Sequence, residues 1–429
     1  MLAVTPSSQS PIPIESNFPM KTFEQIAELE RRYLLGTYNR YPVAFTRGKG
    51  VFLYDLDDRR YLDFVSGLGV NALGHAHPRI VKTIRDQAAK LIHISNLYYH
   101  EYQGELAEKL CTLANAASGG ALGNARAFFQ NSGTEAIEGS IKLARLAGHR
   151  AGGEAKSRLV ALQGSYHGRT FGALSLTGQE KHRKGFGPLL EEVTFVAQND
   201  LEGLRAAVND NTCAIVLEPI FGEGGIYECS VEFLQECRAL ADRFKAALIF
   251  DEIQCGLGRT GTMFAFQSFS VTPDIVAIAK PIAAGLPLGA FIAKEEFASA
   301  ISPGQHGTTF GGGPLVCRVA LEFLAIVEDE KLLDNVKKVG AYLQQELKAL
   351  AEKSAVAKEV RGRGFIQGIN LEIPARPIVD AALAEGVLFN STQDTVVRFL
   401  PPFLLEEKHV DKGIRVLKKL LKKRRKEAA

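Results

Sequence analysis

The 429-residue chain has no surplus of charge of either sign: 51 Lys and Arg against 48 Asp and Glu leave a net +3. No charge-driven attachment to nucleic acid or to an anionic membrane is expected from that balance. Its six cysteines, at 111, 213, 229, 237, 255 and 317, form no C-x-x-C pair and are scattered over some 200 residues. The pattern speaks against a disulfide framework or a zinc site and for reduced thiols in a cytoplasmic protein. No apolar run approaches the roughly 18 residues of a membrane span. The opening stretch MLAVTPSSQSPIPIESNFP has neither the basic region nor the apolar core of a secretory signal, so a cytoplasmic location is expected. One basic run, KKLLKKRRK at 418–426, has two readings: an arm for nucleic acid, or the solvated end of a last helix whose negative pole suits cations. The second is expected.

What is present is ordinary for a soluble globular chain: 46% hydrophobic, 23% charged and 41 glycines, with length enough for two or three domains. Residues 1–20 are rich in Pro and Ser and are expected to be loose. GVFLYDLDDRRYLDF (50–64) alternates around a turn-like Asp-Asp and predicts a hairpin. HPRIVKTIRDQAAKLI (77–92) has helical spacing. From about 125 to 300, short apolar segments (ARAFFQ, SRLVALQ, CAIVLEP, AALIFDE, DIVAIAK) alternate with amphipathic ones such as GTEAIEGSIKLARLAG and VEFLQECRALADRFKA. Continuous apolar strands alternating with helices predict a mostly parallel sheet covered on both faces. Beyond about 320, long helices and further short strands predict a smaller lobe.

Parallel α/β sheets place ligands at the carboxyl ends of their strands. The apolar runs end, in chain order, on Asn131-Ser132-Gly133-Thr134, Ser165-Tyr166-His167, Glu218, Asp251 and Lys280. Ser132–Thr134 opens a helix, where free amides suit an anion; a capping box between Ser132 and Glu135 explains the same residues, and both can hold. GLGRTG (256–261) matches the dinucleotide fingerprint G-x-G-x-x-G, but TMFAFQSFSVTPD after it lacks the helix the fingerprint requires. Lys280, at the end of DIVAIAK, is the residue hardest to explain structurally. A lysine in an apolar pocket loses proton affinity and becomes an amine nucleophile. Pyridoxal phosphate enzymes use such a lysine in a Schiff base, with a carboxylate on the ring nitrogen and an anion-binding helix start. Asp251 and Ser132–Thr134 supply those two, and Tyr166 is available to stack on the ring.

FFQNSGTEAIEGSIKLAR, SYHGRTFGALSLTG, VLEPIFGEGG, IFDEIQCGLGRTG, PDIVAIAKPIAAGLPLGA, HGTTFGGGPLVC and VVRFLPP together resemble the class III (fold type I) pyridoxal phosphate aminotransferases from about 30 to 415. The resemblance implies an α/β large domain over 76–325, with a mostly parallel sheet between helices. A smaller α+β domain would form from 21–75 and 326–429. By the same resemblance Lys280 would form the Schiff base and shuttle the proton, Asp251 would hold the pyridinium proton, and Gln254 would lie near the ring hydroxyl. Tyr166 and Ile253 would flank the ring, and Ser132, Gly133 and Thr134 would bind phosphate. Thr309 would reach the phosphate, and Thr308 the substrate, of a neighbouring subunit in an obligate homodimer. Arg398 would grip the α-carboxylate of glutamate or 2-oxoglutarate and Arg169 the distal one. Glu223 would pair with Arg398 when an amine donor enters, and Tyr38 would complete the substrate set. Ile137, Phe221, Cys255 and Gly313 depart from residues usual in the family, without removing a reacting group.

Within the class, the N-terminal third (TYNRYPVAFTRGKGVFLYDLDDRRYLDF, GVNALGHAHP, LIHISNLYYHEYQGELAEKL) is most similar to the acetylornithine aminotransferases. Small residues at 67 and 69, where ornithine aminotransferases tend to carry a tyrosine, leave room for an N-acetyl group. The expected reaction moves the δ-amino group of N-acetylornithine to 2-oxoglutarate, with no metal. Ornithine, succinylornithine or γ-aminobutyrate as donor, and an aminomutase or racemase on the same fold, are the alternatives. His75 and His77 are too isolated for a metal set. His167 either touches the coenzyme or packs beside it.

Overall fold

Runs of Ile, Val, Leu and Ala build the centre of the molecule, because strands buried on both faces need apolar residues at every position. The computed structural model describes residues 21–428, with side chains through 423; the Pro/Ser-rich start lies outside the described residues. In chain order the strands are β1 Phe45–Lys49, β2 Phe52–Asp55, β3 Arg60–Asp63, β4 Ala125–Gln130, β5 Arg158–Leu162, β6 Val193–Val196, β7 Thr212–Leu217, β8 Ala247–Asp251, β9 Ile275–Ile278, β10 Gly289–Lys294, β11 Ala357–Arg363, β12 Ile366–Leu371, β13 Val387–Leu388, β14 Asn390–Thr392 and β15 Val396–Phe399.

The large sheet runs β4-β10-β9-β8-β7-β5-β6. Every residue of β7, β8 and β9 is buried. Pairing is parallel across β6, β5, β7, β8 and β9, and β10 alone is antiparallel to its neighbours β9 and β4. The mostly parallel sheet is therefore present, and β6 and β10 are the strands the sequence pattern did not announce. β6 is a four-residue edge strand, and β10 follows a Gly/Pro-rich turn that masks its start. Gly289 begins β10 where a Cβ would come within 2.7 Å of the Ser132 carbonyl carbon. The missing side chain thus lets β10 run against the start of the helix Gly133–Gly152.

The predicted hairpin is β2–β3, with Phe52 opposite Leu62. β3 then pairs in parallel with β13, so a four-stranded sheet β1-β2-β3-β13 joins the two ends of the chain. A second four-stranded sheet, β11-β12-β15-β14, carries Arg398 on β15. The last helix, Glu407–Ala428, buries Leu417, Leu420 and Leu421 while Lys418, Lys419, Lys422 and Lys423 face solvent. The described part of the basic run is a solvated helix face, with Lys419 paired to Glu385 at 2.8 Å. No described helix is long and apolar enough to cross a membrane.

Asp274 sets the height of β9. Its carboxylate takes Arg238 at 2.8 Å, Lys294 at 2.9 Å and the Leu248 amide at 2.9 Å, tying β8, β9 and β10 together. Removing this buried anion leaves Lys294 without its carboxylate, the Leu248 amide without an acceptor and Arg238 with Asp242 alone at 2.7 Å, at a cost of about 3 kcal/mol. Chemical unfolding of Asp274→Ala should show that loss, exceeding the loss in Arg238→Ala, which leaves Asp274 its other partners.

Candidate active site

β9 ends at Ile278, and the chain then breaks direction: Ala279 has φ −160° and ψ −133°, and Lys280 has φ 43° before Pro281. A residue before proline is disfavoured in the right-handed helical region. The kink turns the lysine side chain off the sheet into a cavity of about 420 Å³. The cavity opens at the carboxyl ends of β4, β5, β7, β8 and β9, and Ser132, Gly133, Thr134, Tyr166, His167, Arg169, Glu218, Glu223, Asp251, Ile253, Gln254 and Lys280 line it together.

Burial pulls the Lys280 ammonium below the ordinary lysine range, with Glu223 and Asp251 opposing and Arg398 assisting. Asp251 is 4% exposed. One oxygen accepts the Ile253 amide at 3.0 Å; the other meets His167 Nδ1 at 2.8 Å. His167 is buried, which by itself favours its neutral form. The hydrogen bond and charge of Asp251, with Glu218 behind it, outweigh burial and hold its proton above the usual range. Glu218 accepts the amides of Tyr166 at 2.8 Å and Gly222 at 3.0 Å, and burial next to Asp251 raises it to about 7.

On the opposite wall, Ser132 caps the helix Gly133–Gly152 by accepting the Glu135 amide at 3.3 Å. The Glu135 carboxylate takes the Asn131 amide at 2.7 Å, one residue earlier than a capping box would. Gly133 and Thr134 are the first two helical residues, whose amides have no partner within a helix. A Cβ on Gly133 would lie 2.8 Å from Ile253 Cδ1, so this wall is a cradle that any larger residue would fill. Thr134 Oγ1 accepts the Arg169 and Thr170 amides at 3.2 and 3.3 Å, tying the two loops.

Arg398 is 1% exposed. Its donors reach Glu223 at 2.6 Å, Gln254 at 3.2 Å, the Gly222 carbonyl at 3.0 Å and the Asn390 side-chain oxygen at 3.1 and 2.5 Å. Burial would raise Glu223, but the charge and hydrogen bond of Arg398, with Lys280, overcome it and hold the carboxyl at about 2. Arg169 stands at the mouth, 5.7 Å over the Tyr166 ring.

Three of the expected residues lie elsewhere on this chain. Thr308 and Thr309 line a surface groove of about 790 Å³ with His93, Leu97 and Tyr99. Tyr38 is 77% exposed. His75 meets Asp63 at 2.8 Å and His77 meets Glu330 at 3.2 Å. Ile137, Phe221 and Cys255 are buried, and Gly313 caps the helix Pro314–Asp329; none lines the cavity. GLGRTG leads into turns and a 3-10 helix at Ala265–Ser268, not the helix of a dinucleotide site. Sequence reasoning left His167 undecided and missed Asn390. The latter faces Arg398 across the β14–β15 ladder, a register no local pattern announces.

A lysine amine, a buried carboxylate with a histidine behind it and a helix start cleared by glycine match the aldehyde, ring nitrogen and phosphate of pyridoxal phosphate. They define an aminotransferase of fold type I. The family Aminotransferase class-III matches residues 36–421, and the chain belongs to it. It is 45% identical over 394 residues to the acetylornithine aminotransferase of Methanocaldococcus jannaschii, covering 92% of this chain and 97% of that protein. Among solved structures it resembles an ornithine aminotransferase from Toxoplasma gondii, at 29% identity and TM-score 0.89 over 95% and 97% of the two chains. It also resembles an acetylornithine aminotransferase from Elizabethkingia anophelis, at 30% identity and TM-score 0.82 over 94% and 100%.

Replacing His167 by Phe keeps the packing and removes the only side chain bonded to the Asp251 carboxylate among the described residues. A hydrogen bond to a charged group is worth about 1.5–3 kcal/mol. His167→Phe should therefore weaken pyridoxal phosphate binding about tenfold or more in an equilibrium absorbance titration. Equal affinity in the variant would mean that Asp251 needs no support.

Proposed function

We propose that this chain moves the δ-amino group of N-acetylornithine to 2-oxoglutarate, giving N-acetylglutamate semialdehyde and glutamate, with pyridoxal phosphate as coenzyme. The observation that carries this reading is the Arg398–Glu223 pair, closed at 2.6 Å, with Glu223 on the cavity wall and Arg398 buried behind it, in a chain 40–45% identical to curated acetylornithine aminotransferases. A closed pair presents no net charge to an incoming terminal amine. An open pair offers Arg398 as a planar fork for the α-carboxylate of 2-oxoglutarate. One cavity then serves two substrates of different charge, and Arg169 at the mouth takes the carboxylate at the far end of either.

Pyridoxal phosphate, when bound, supplies the electron-withdrawing ring that lets a proton leave the carbon bearing nitrogen. Lys280 carries that proton on Nζ, and its lowered proton affinity suits both taking and returning it. Asp251, fixed by His167 and the Ile253 amide, holds the proton on the ring nitrogen. Gly133 and Thr134, with Ser132, would hold the phosphate, Tyr166 and Ile253 would hold the ring, and Gln254 would take its hydroxyl. Tyr38 belongs to the substrate-binding set, and Thr309 and Thr308 act across a homodimer interface. The exposed apolar side chains in the groove of Thr308 and Thr309 support this, with Leu97 87% and Tyr99 103% accessible on the single chain. The domain division at 76–325 and 326–429 follows the same reading, as does a cytoplasmic location, which six unpaired cysteines suit.

The test is a donor panel with 2-oxoglutarate, scored by glutamate formed. N-acetylornithine should give the highest kcat/KM. Ornithine, succinylornithine or γ-aminobutyrate ahead of it would overturn the choice of donor, and no turnover of any terminal amine would reject the reaction.

Glu223→Gln leaves Arg398 without its counter-charge, and the preference for glutamate over N-acetylornithine should rise about tenfold, or 1.4 kcal/mol. A carboxyl held at about 2 stays ionised at any working pH. A depressed carboxyl stabilises above its ordinary pKa and loses that stability only as pH falls toward its folded value. The wild-type preference should accordingly show no Glu223 titration above pH ~5.

A further inference from the structure

The glycine-rich stretch Gly256–Gly261 is not followed by the helix of a nucleotide site, yet it carries Arg259, 1% exposed and, with Arg398, among the largest fully buried side chains. No carboxylate lies within ion-pair distance of it among the described residues. Its donors go to three backbone carbonyls: Gly69 at 3.2 Å, Phe365 at 3.4 Å and Pro401. The guanidinium also lies 4.7 Å over the Phe403 ring. Burial without an anion draws it down to about 9, still a cation at neutral pH. Burying a charge this way is costly, and an apolar side chain would fill the space without that cost.

The contact with Gly69 is where this cation meets the site. Ser66, Gly67, Leu68 and Gly69 have φ of 44°, 62°, 62° and 92°. A run of left-handed residues persists only where its surroundings fix it. Asp63 holds the start of the run through the amides of Val65 and Ser66, at 2.8 and 2.9 Å, and Arg259 holds its end. A Cβ on Gly69 would lie 3.7 Å from Arg259 Nη2 and 3.9 Å from Lys280 Cδ, so Gly69 sits between the two cations. Val70, next in the chain, lines the cavity.

We propose that Arg259 is a positioning residue for the amino-donor end of the cavity, fixing the depth of the Val65–Asn71 segment beside Lys280. It touches neither substrate nor coenzyme. Lysine cannot replace it, because one ammonium lacks the rigid fork that reaches carbonyls in separate segments. Arg398 has its own holders in Asn390, Gly222, Gln254 and Glu223. The acceptor end is therefore independent of Arg259, although Pro401 lies only three residues beyond Arg398. The inference rests on the proposed function only for which donor is measured.

The experiment compares wild-type and Arg259→Lys holoenzymes. Amide hydrogen exchange in peptides covering 65–71 should accelerate about tenfold, the order expected for one lost charge-assisted hydrogen bond, while exchange in β7 is unchanged. KM for the donor should rise by a similar factor, and the preference for N-acetylornithine over ornithine should shrink, while KM for 2-oxoglutarate and coenzyme affinity stay within about twofold. A variant with lowered thermal stability but equal effects on both substrates, or no change in 65–71 exchange, overturns the proposal. Should Arg259→Lys fail to fold, Gly69→Ala, at φ 92°, strains the same segment while leaving the guanidinium itself in place, and must give the same donor-only signature. If the wild-type protein uses another terminal amine, the proposed donor fails, and the exchange and KM split measured with that amine still decide the role of Arg259.

Discussion

Lys280 gives up hydration where β9 ends, and that burial lowers its proton affinity against the opposing pull of Glu223 and Asp251, neither of which pairs with it directly. Glu223 is drawn onto Arg398, and Asp251 is tied to His167 and the Ile253 amide. Were either carboxylate free to swing onto the ammonium, the lysine would be an ordinary buried ion pair, charged and unreactive. The site therefore depends on anions kept near the amine but committed to other partners. Most of the remaining arrangement serves that separation, from the kink at Ala279–Lys280 to the Arg398 cluster behind Glu223.

The acidic side of the cavity is layered. Asp251, His167 and Glu218 lie close together with too few positive charges to keep both carboxylates ionised cheaply, and the load is divided between them. His167 holds its proton more tightly than usual, and Glu218, raised to about 7, keeps its two backbone amides. Glu252, the chain neighbour of Asp251, points the other way, capping the Ala265 and Phe266 amides, and burial lifts it to about 8. Adjacent acids thus have opposite tasks, one chemical and one structural, set by the face of the strand end each occupies.

Much of this was legible in the sequence because the sheet is parallel. Each apolar run ends where a ligand can sit, so the polar residues after five such runs already outline the cavity. The hairpin at 52–63 and the helices at 78–88 and 133–152 were legible for the same local reasons, period and caps. What stayed hidden depends on pairing between distant segments. β10 runs against the others and carries no reacting group, Asn390 meets Arg398 only through a ladder register, and β13 joins β3 across more than 300 residues. Arg259 was in plain view inside a motif rejected as a dinucleotide site. Its partners are backbone carbonyls, which leave no trace in residue identity.

Those hidden pairings explain why the ends of the chain matter to a reaction carried out in its middle. β3 delivers Asp63, whose carboxylate organises the left-handed run at 66–69, and Ser66 donates its hydroxyl to the Leu400 carbonyl just past β15. The wall facing Lys280 is thus built from the N-terminal segment but anchored on the C-terminal one. The large sheet fixes Asp251, Lys280 and the start of the helix at Gly133, the residues proposed to hold the coenzyme, within a single rigid layer. The parts that would discriminate among substrates, Arg398 and the 66–70 segment, come from outside it. Substitutions among those outer segments can alter which amine fits without moving the amine that reacts, and that division of labour lets one cavity keep its chemistry while its donor changes.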